Sequence, residues 1–449
     1  MRAKHESHFL RLVRQRAYLH AERMHTAHPN RLTFLGEAFQ RRQWTRFGIK
    51  QADRRQPLYI LGKTGMGKST LLANIAIADI QAGEGLAVID PHGALVEEIL
   101  DYIPDERVDE VIYFNATDAA RPVPFNPLAQ THPAHHALVA SGIIAMMKKV
   151  WGDSWGPRLE HVLRYTLLTL LHRPGSTFLD VPRLLLDSDW RKRVVAVLQD
   201  THLQTFWRKE FGAFSPSFRN EAVAPILNKV GQFVASPLMR NIVGQVENTF
   251  ALREAMGTGK IVLVNLAKGR IGEDASALLG AMFVTTLWQT ALSRQDIPEE
   301  ERRDFSLLVD ETHSIATASF ADMLSETRKY RLNLTLAHQY LEQLAPDLLA
   351  AVLGNVGTLI TFRTGAVDAE YLAREFYPVF TEKDLVNLPK YHVCLKLLID
   401  GVPSRGFSAV TLPILGEKTL NKARVIERSQ ARYGRPPHGY GRPPHDSGV

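Results

Sequence analysis

The sequence predicts an α/β protein in which a mostly parallel sheet is sandwiched by helices and an all-α domain is inserted. Two observations predict this fold class. Apolar strand-like runs alternate with helical runs over residues 56–129 and again over residues 255–415, which is the pattern of a parallel sheet covered by helices. Residues 130–254, between these two parts, contain almost no strand-like pattern and are predicted to form the inserted domain.

The first 55 residues are predicted to form a basic N-terminal arm. They hold 13 Lys and Arg residues and 4 acidic residues, a net charge of +9, whereas the whole chain carries +7. The Arg- and Leu-rich run Phe9–Met24 predicts a helix, followed by a looser stretch to Arg55. A basic arm on a near-neutral body indicates a polyanionic partner, either nucleic acid or an anionic membrane face, with a merely solvated amphipathic helix as the alternative.

The strongest motif joins the strand-like run Leu58–Leu61 to a helical run. It is a full Walker A sequence, made of Gly62, Lys63, Thr64, Gly65, Met66, Gly67, Lys68, Ser69 and Thr70. The glycines let the backbone wrap around a phosphate, and the helix N-terminus adds its positive end. We therefore expect Lys68 to bridge the β- and γ-phosphates of ATP and Ser69 to ligate Mg²⁺.

The inserted block is predicted to be helical and to take no part in the chemistry of a phosphate site. In Arg158–Leu171 the apolar residues recur at helical spacing, and Pro, Gly and Ser residues separate further helical stretches. The block holds 15 basic and 10 acidic residues, and it contains no motif with the chemistry of a phosphate or metal site.

The composition indicates a protein from a reducing compartment. Cys394 is the only cysteine, which excludes an internal disulfide and a cysteine-built zinc site. No apolar signal segment opens the chain. The uncharged run Ala275–Ser293 is long enough to span a membrane, but its Ser, Thr and Gln residues and the preceding strand-like run favour a helix buried against the sheet.

A second acidic motif follows the insertion. The apolar run from Phe305 ends in Asp310 and Glu311, which is the Walker B form. We expect Asp310 to hold the Mg²⁺ shell and Glu311 to polarise a water for attack on the γ-phosphate. An acidic pair after an apolar strand is also common as an ordinary turn. The pair indicates a Walker B motif because the same chain carries the Walker A lysine, Lys68.

Two further candidate site residues, Arg328 and Gln339, lie before and at the end of the next strand-like run. Gln339 ends a strand-like run, where its side chain would contact the γ-phosphate or the attacking water, or would be a satisfied strand-end amide. Arg328, with Lys329 and Arg331, is predicted to lie at the catalytic edge of the sheet and to reach a neighbouring subunit's site as an arginine finger. A solvated helix face is the alternative for these cations, and Arg331 is the alternative finger.

The strand-like runs of the two parts together predict a sheet of about eight strands. Residues 416–449 are predicted to be a flexible tail. The hexapeptide at Tyr433–His438 occurs again at Tyr440–His445, and such Pro- and Gly-rich repeats cannot bury a core.

The motifs carry a family resemblance. GKTGMGKSTLLANI, VIDPHG, FNPL, LLVDE, SETRKYRLNLTLAHQYLEQL and GTLITFR together resemble the type IV secretion coupling proteins. These are conjugative DNA-transfer ATPases of the TraG/TraD kind, within the HerA/FtsK superfamily of DNA-pumping ATPases. The resemblance implies a RecA-like P-loop ATPase domain with an inserted all-α domain, hexameric rings, and ATP and Mg²⁺ as cofactors. It also implies that Gln339 is the sensing glutamine and Arg328 a trans-acting arginine.

The resemblance leads us to expect a soluble, ring-forming, Mg²⁺-dependent ATPase that translocates DNA without sequence preference, as a homo-hexamer. Membrane-anchored members of the family carry N-terminal transmembrane helices, and the first 55 residues contain none. The expected location is therefore the cytoplasm, with at most a peripheral place at the inner membrane. Expected partners are relaxosome or secretion-system proteins, or a nuclease. The alternatives are a HerA-like helicase acting with a nuclease and a nucleotide-switched DNA-binding adaptor that does not pump.

Overall fold

The computed structural model describes residues 31–129, 133–317 and 319–437. The predicted helix Phe9–Met24 lies outside these residues. The strands are β1 (Leu32–Gln40), β2 (Gln43–Lys50), β3 (Leu58–Leu61), β4 (Gly85–Asp90), β5 (Val111–Asn115), β6 (Ile261–Asn265), β7 (Phe305–Val309), β8 (Leu332–His338), β9 (Thr358–Thr361), β10 (His392–Lys396), β11 (Leu398–Ile399), β12 (Val402–Pro403) and β13 (Phe407–Thr411).

Eleven strands form the main sheet, in the order β2-β1-β13-β10-β9-β3-β8-β7-β4-β6-β5, and β11 and β12 form a separate hairpin. The pairs β9–β3, β3–β8, β8–β7, β7–β4 and β4–β6 are parallel. The edge from β9 through β10, β13 and β1 to β2 is antiparallel. The sheet therefore contains the eight predicted strands and three that sequence reasoning missed.

The helices before residue 260 are α1 (Lys68–Gln81), α2 (Ala94–Leu100), α3 (His136–Val150), α4 (Pro157–Leu171), α5 (Asp180–Leu186), α6 (Ser188–Val197), α7 (Thr201–Thr205), α8 (Pro216–Ala235), α9 (Pro237–Val243) and α10 (Leu252–Thr258). The later helices are α11 (Lys268–Ile271), α12 (Glu273–Ser293), α13 (Thr312–Ile315), α14 (Ser319–Glu326), α15 (Pro346–Asn355), α16 (Ala366–Phe376), α17 (Glu382–Val386) and α18 (Lys422–Tyr433).

The chain divides into two compact units. The first lies within Met1–Tyr113, Leu252–Asn265 and Thr290–Arg428 and contains nearly all of the main sheet. The second lies within Phe114–Ala251, Leu266–Gln289 and Ser429–Val449, and its regular elements are almost entirely helical. The second unit thus begins earlier than the predicted insertion at residue 130 and also includes residues 266–289.

Among the described residues, helix α12 together with the turn that follows it (Glu273–Asp296) is the one helical segment with the length and apolarity of a membrane span. In its most apolar stretch, 67% is buried inside the fold. Burial to this extent is typical of a core helix, as the sequence predicts.

The prediction that residues up to Arg55 form a loose arm is wrong for the described part. Residues from Leu32 to Lys50 form the hairpin of β1 and β2, with a bulge between Phe34 and Gly36. The turn residues Arg41 and Arg42 have φ values of 47° and 67°. Hairpin turns with two positive φ angles usually carry Asn and Gly, so two arginines gave no turn signal in the sequence.

The prediction of a flexible tail over 416–449 is also wrong for α18. Val425, Ser429 and Tyr433 are buried, and their spacing of four residues places them on one face of the helix. The Pro- and Gly-rich composition of the following repeats hid this short amphipathic helix. The second repeat, Tyr440–His445, lies outside the described residues.

A buried ion pair anchors α1, the helix that follows the Walker A loop. Asp79 on α1 is fully buried and accepts hydrogen bonds from both terminal nitrogens of Arg54, at 2.5 and 2.7 Å. Ser306 donates to the same carboxylate at 2.8 Å, and Arg31 donates at 3.0 Å. Burial raises the pKa of Asp79, but the charge and hydrogen bonds of Arg54 outweigh it and hold this pKa below its usual value.

We expect Asp79→Asn to lower the free energy of unfolding of the first unit by about 3–5 kcal/mol, because it leaves Arg54 charged and unpaired in the core. The pKa of Asp79 is lower in the folded than in the unfolded chain. The stabilisation is therefore full above the unfolded pKa and is lost as the pH falls through the lower folded value. Urea denaturation at pH 7 measures the loss.

Glu370→Gln is the matched control, because Glu370 pairs with Arg374 on an exposed helix face. It should change the stability by less than about 1 kcal/mol. Equal effects of the two substitutions would contradict the anchoring role of Asp79.

Candidate functional site

The site lies at the carboxyl edge of three neighbouring parallel strands. In the pairing of β3 with β8, Leu61 stands opposite His338. In the pairing of β7 with β8, Val309 stands opposite Leu336. The residues that follow these strand ends, which are Gly62, Gln339 and Asp310, therefore emerge next to one another, and ligands of parallel sheets bind at this edge.

The Walker A loop is packed so closely that two of its positions require glycine. Gly62 has a φ of 151°, and a Cβ there would lie 2.5 Å from the Cβ of Phe362. Gly67 has a φ of 121°, and a Cβ there would lie 2.8 Å from Cδ1 of Tyr391. Because real side chains do not fit at such distances, any larger residue would displace the loop and its inward-turned amides.

Lys68, the first residue of α1, is held within the loop. Its Nζ donates a hydrogen bond to the carbonyl oxygen of Gly62 at 2.6 Å, and the side chain is buried. Burial lowers the pKa of Lys68, and the charges of Glu311 and Asp310 act in the opposite direction. The loop thus holds a desolvated cation at the position where a phosphate would take the place of the carbonyl oxygen.

Asp310 is a buried carboxylate directly after β7. Burial is the main cause that raises its pKa to about 7, and the charges of Asp90 and Glu311 add to the effect. Asp90 ends β4 and accepts hydrogen bonds from the backbone N–H groups of Leu95 and Val96, at 2.8 and 3.1 Å. Asp90 therefore caps α2.

The residues present fit a magnesium ion, with Asp310 and the hydroxyl of Ser69 as the side chains that would hold it. Asp90 and Asp310 lie at neighbouring strand ends, the charge of Asp90 acts on Asp310, and such a pair of acids favours a divalent cation. Mg²⁺ is usually bound through one or two carboxylates together with substrate phosphates.

Glu311 is positioned by the next strand. Its Oε1 accepts a hydrogen bond from Nε2 of Gln339 at 2.9 Å, so the structure brings these two predicted residues together. Its Oε2 lies 3.4 Å from Nδ1 of His313. Glu311 itself has a φ of 45°, a strained backbone for a residue with a side chain, and such strain is common at functional sites.

A polar network behind Gln339 was missed by sequence reasoning. The Oε1 of Gln343 accepts a hydrogen bond from the backbone N–H of Gln339 at 3.3 Å, and its Nε2 lies 3.3 Å from Nε2 of His313. His338 bonds to the hydroxyl of Tyr59, and burial lowers the pKa of this histidine to about 3. The imidazole of His338 is therefore neutral at pH 7. No spacing or motif in the sequence identifies His313, His338 and Gln343 as neighbours.

The structure corrects the predicted position of Arg328. Arg328 is exposed in a short helical turn before β8, so it lies at the amino edge of the sheet and not at the catalytic edge. The length of β8, about 20 Å at 3.3 Å per residue, separates the two edges. Arg331, the alternative, is mostly buried, and its Nη1 lies 3.9 Å from Asp304. The error arose because the chain returns across the sheet between Glu311 and Leu332.

The chain has recognisable relatives. Residues 44–376 match the family model of the type IV secretion-system coupling protein DNA-binding domain. The bacterial conjugative coupling protein TrwBdeltaN70 is 18% identical, with a TM-score of 0.58, over 82% of this chain and 86% of that chain. The plasmid coupling protein TrwB in complex with ADP and Mg²⁺ is 18% identical, with a TM-score of 0.59, over 82% and 87% of the two chains.

VirB4 of Thermoanaerobacter pseudethanolicus is 14% identical, with a TM-score of 0.54, over 89% of this chain and all of that chain. A comparison with curated proteins gave no match. At these identities the solved structures show a shared fold, and they confirm the predicted RecA-like P-loop architecture.

The electrostatics of Asp310 predict a pH-dependent stability. The pKa of Asp310 is about 7 in the fold, above the unfolded value, so the folded chain binds more protons and the wild type loses stability as the pH rises toward 7. We expect Asp310→Asn to raise the melting temperature by a few degrees at pH 8 in EDTA, and by much less at pH 5, where Asp310 is already protonated.

Scanning calorimetry or dye-based melting measures this difference. Asp322→Asn, at an exposed position, is the control and should give the same small change at both pH values. If Asp310→Asn also has the same effect at both pH values, the negative charge of Asp310 does not destabilise the fold.

Proposed function

The chain belongs to the family of type IV secretion-system coupling proteins, and on that premise we propose that it is a Mg²⁺-dependent ATPase that uses hydrolysis to translocate DNA. The observation that carries the proposal is the convergence of Lys68, Asp310, Glu311 and Gln339 at one sheet edge. The relatives named above as conjugative coupling proteins, one of them in complex with ADP and Mg²⁺, support the same activity.

Each residue has a step in the proposed reaction. Lys68 leaves the carbonyl oxygen of Gly62 and places its charge between the β- and γ-phosphates of ATP. Glu311 accepts the proton of the attacking water as general base. Gln339, which holds one oxygen of Glu311, orients that water and senses the γ-phosphate. Mg²⁺, held by Ser69 and Asp310, would neutralise charge on the phosphate oxygens.

DNA binding is proposed to be electrostatic and independent of sequence. The helical unit exposes several cations, among them Arg193, Arg208 and Lys209. Such cations bind the phosphate backbone and release counter-ions, which makes the affinity depend strongly on salt. We propose a homo-hexameric ring in the cytoplasm, whose candidate partners are relaxosome or secretion-system proteins, or a nuclease.

The proposed ring places an arginine from each copy at the next copy's site, and Arg328 is the candidate. A cleft of about 540 Å³ opens beside Lys63, Thr64 and Gln339, and Glu342 and Asp368 contribute to its wall. An exposed guanidinium from a neighbouring copy has room in this cleft, and the carboxyl groups of Glu342 and Asp368 would attract it. Arg328 is exposed at the far edge, so it cannot serve the site of its own copy.

A steady-state ATPase assay with and without DNA tests the proposal. The wild type should hydrolyse ATP only with Mg²⁺, and DNA should stimulate it. Lys68→Ala should weaken both nucleotide binding and turnover. Glu311→Gln should bind ATP nearly normally and turn over at least about a hundredfold more slowly, because the amide cannot act as a general base.

Equal rates with and without DNA would contradict translocation, and a single burst of hydrolysis without turnover would indicate a switch. Normal turnover by Glu311→Gln would remove Glu311 from the mechanism.

Arg328→Ala should bind ATP nearly normally and hydrolyse it about a thousandfold more slowly or worse, the effect of losing a trans-acting arginine. Lys329→Ala is the control, since it removes the neighbouring exposed cation, and it should keep a rate within about twofold. Mixed assemblies of Arg328→Ala with Glu311→Gln should regain part of the activity, because some interfaces then hold one intact residue of each kind. No recovery in copies that demonstrably co-assemble would mean that Arg328 does not act across the interface.

A further inference from the structure

Tyr391 lies on the side of the Walker A loop opposite to the acidic residues. The sheet order places β8 and β7, which carry Gln339 and Glu311, on one side of β3, and β9 and β10 on the other. Strand β10 is antiparallel to β9, with Cys394 opposite Thr361. The residue before β10, Tyr391, is therefore at the carboxyl edge, level with the loop.

Three contacts fix Tyr391 against this loop. Its backbone N–H donates a hydrogen bond to the carbonyl oxygen of Met66 at 3.0 Å. Its ring packs so closely on Gly67 that a Cβ there would lie 2.8 Å from Cδ1. Its carbonyl oxygen accepts from the backbone N–H and the hydroxyl of Thr411, at 2.9 and 3.2 Å.

The backbone of Tyr391 has a φ of 67°, which is rare for a residue with a large side chain. Strained residues of this kind persist where the surrounding contacts hold them, and they cluster at ligand sites. Tyr391 remains partly exposed, and Nζ of Lys390 lies 4.8 Å from the centroid of its ring. A partly exposed aromatic ring in a fixed orientation beside a phosphate loop is suited to stacking.

The positions of the phosphate-binding groups set the direction of a bound nucleotide. The γ-phosphate belongs beside Lys68, Glu311 and Gln339, and the other phosphates belong along the loop at the N-terminus of α1. The rest of the molecule then leaves the loop on the side away from Gln339, which is the side of Tyr391. We propose that Tyr391 forms the wall of a nucleobase subsite and stacks on the purine ring of ATP or ADP.

This inference deepens the proposed ATPase function and rests on it. Stacking of a base on an aromatic side chain contributes about 1–3 kcal/mol, which corresponds to a factor of about 5 to 150 in Kd. The same ring also supports Gly67, so a loss of nucleotide affinity alone would not separate stacking from support of the loop. A ligand without a base makes that separation.

The experiment measures the affinity of the full-length chain for Mg·ADP and for Mg·pyrophosphate by isothermal titration calorimetry. Tyr391→Ala should raise the Kd for ADP about 5- to 150-fold and leave the Kd for pyrophosphate within about twofold. Tyr391→Phe keeps the ring and should bind both ligands like the wild type. Tyr391→Leu keeps apolar bulk against Gly67 without an aromatic face, so it should lose ADP affinity and keep pyrophosphate affinity even if Tyr391→Ala disturbs the loop.

Each outcome has one meaning for the subsite. Unchanged ADP affinity in Tyr391→Leu and Tyr391→Ala overturns the proposal. An equal loss for ADP and pyrophosphate in both variants also overturns it, because Tyr391 then acts only through the loop. If the wild type binds neither ligand, the proposed nucleotide site itself fails, which distinguishes that failure from an error about Tyr391.

Discussion

The parallel register of β3, β8 and β7 is the constraint on which the site depends. These strands end within two residues of one another in register, so the loop after β3, the amide after β8 and the acids after β7 emerge at the same edge of the sheet. A shift of one residue in this register would turn every side chain of a strand to the other face and would separate Glu311 from Gln339. The buried pair of Asp79 and Arg54 holds α1 in place behind the loop.

The site brings a buried lysine and buried acids together. Lys68 is desolvated and held by a backbone carbonyl group, and Asp310 is a buried acid beside Asp90. Without substrate this arrangement weakens the fold. With a nucleotide and a divalent cation, Lys68 exchanges its carbonyl partner for phosphate, while the acids already lie at the same edge of the sheet, which is the general advantage of a preorganised polar site.

The sequence predicts the parts of the fold and site that depend on local pattern. The Walker A loop and the acids Asp310 and Glu311 follow apolar strands in the chain, and their spacing reveals the parallel sheet. The hairpin of β1 and β2 escaped prediction because Arg41 and Arg42 form its turn. Three other features depend on which strands are neighbours. They are the edge on which Arg328 lies, the effect of Asp90 on the pKa of Asp310, and the contact of Tyr391 with Gly67. Sequence spacing does not contain that information.

Lys68, Asp310, Glu311 and Gln339 are proposed to form one phosphate-binding and hydrolytic site, and an experimental structure of the full chain with Mg²⁺ and a nonhydrolysable ATP analogue would show whether they do. We expect Nζ of Lys68 to move from the carbonyl oxygen of Gly62 to the β- and γ-phosphates, with Ser69 and Asp310 at the metal and Glu311 and Gln339 facing the γ-phosphate. A nucleotide bound elsewhere, or one bound with Lys68 still on Gly62 and no acid near the γ-phosphate, would rule out this common site.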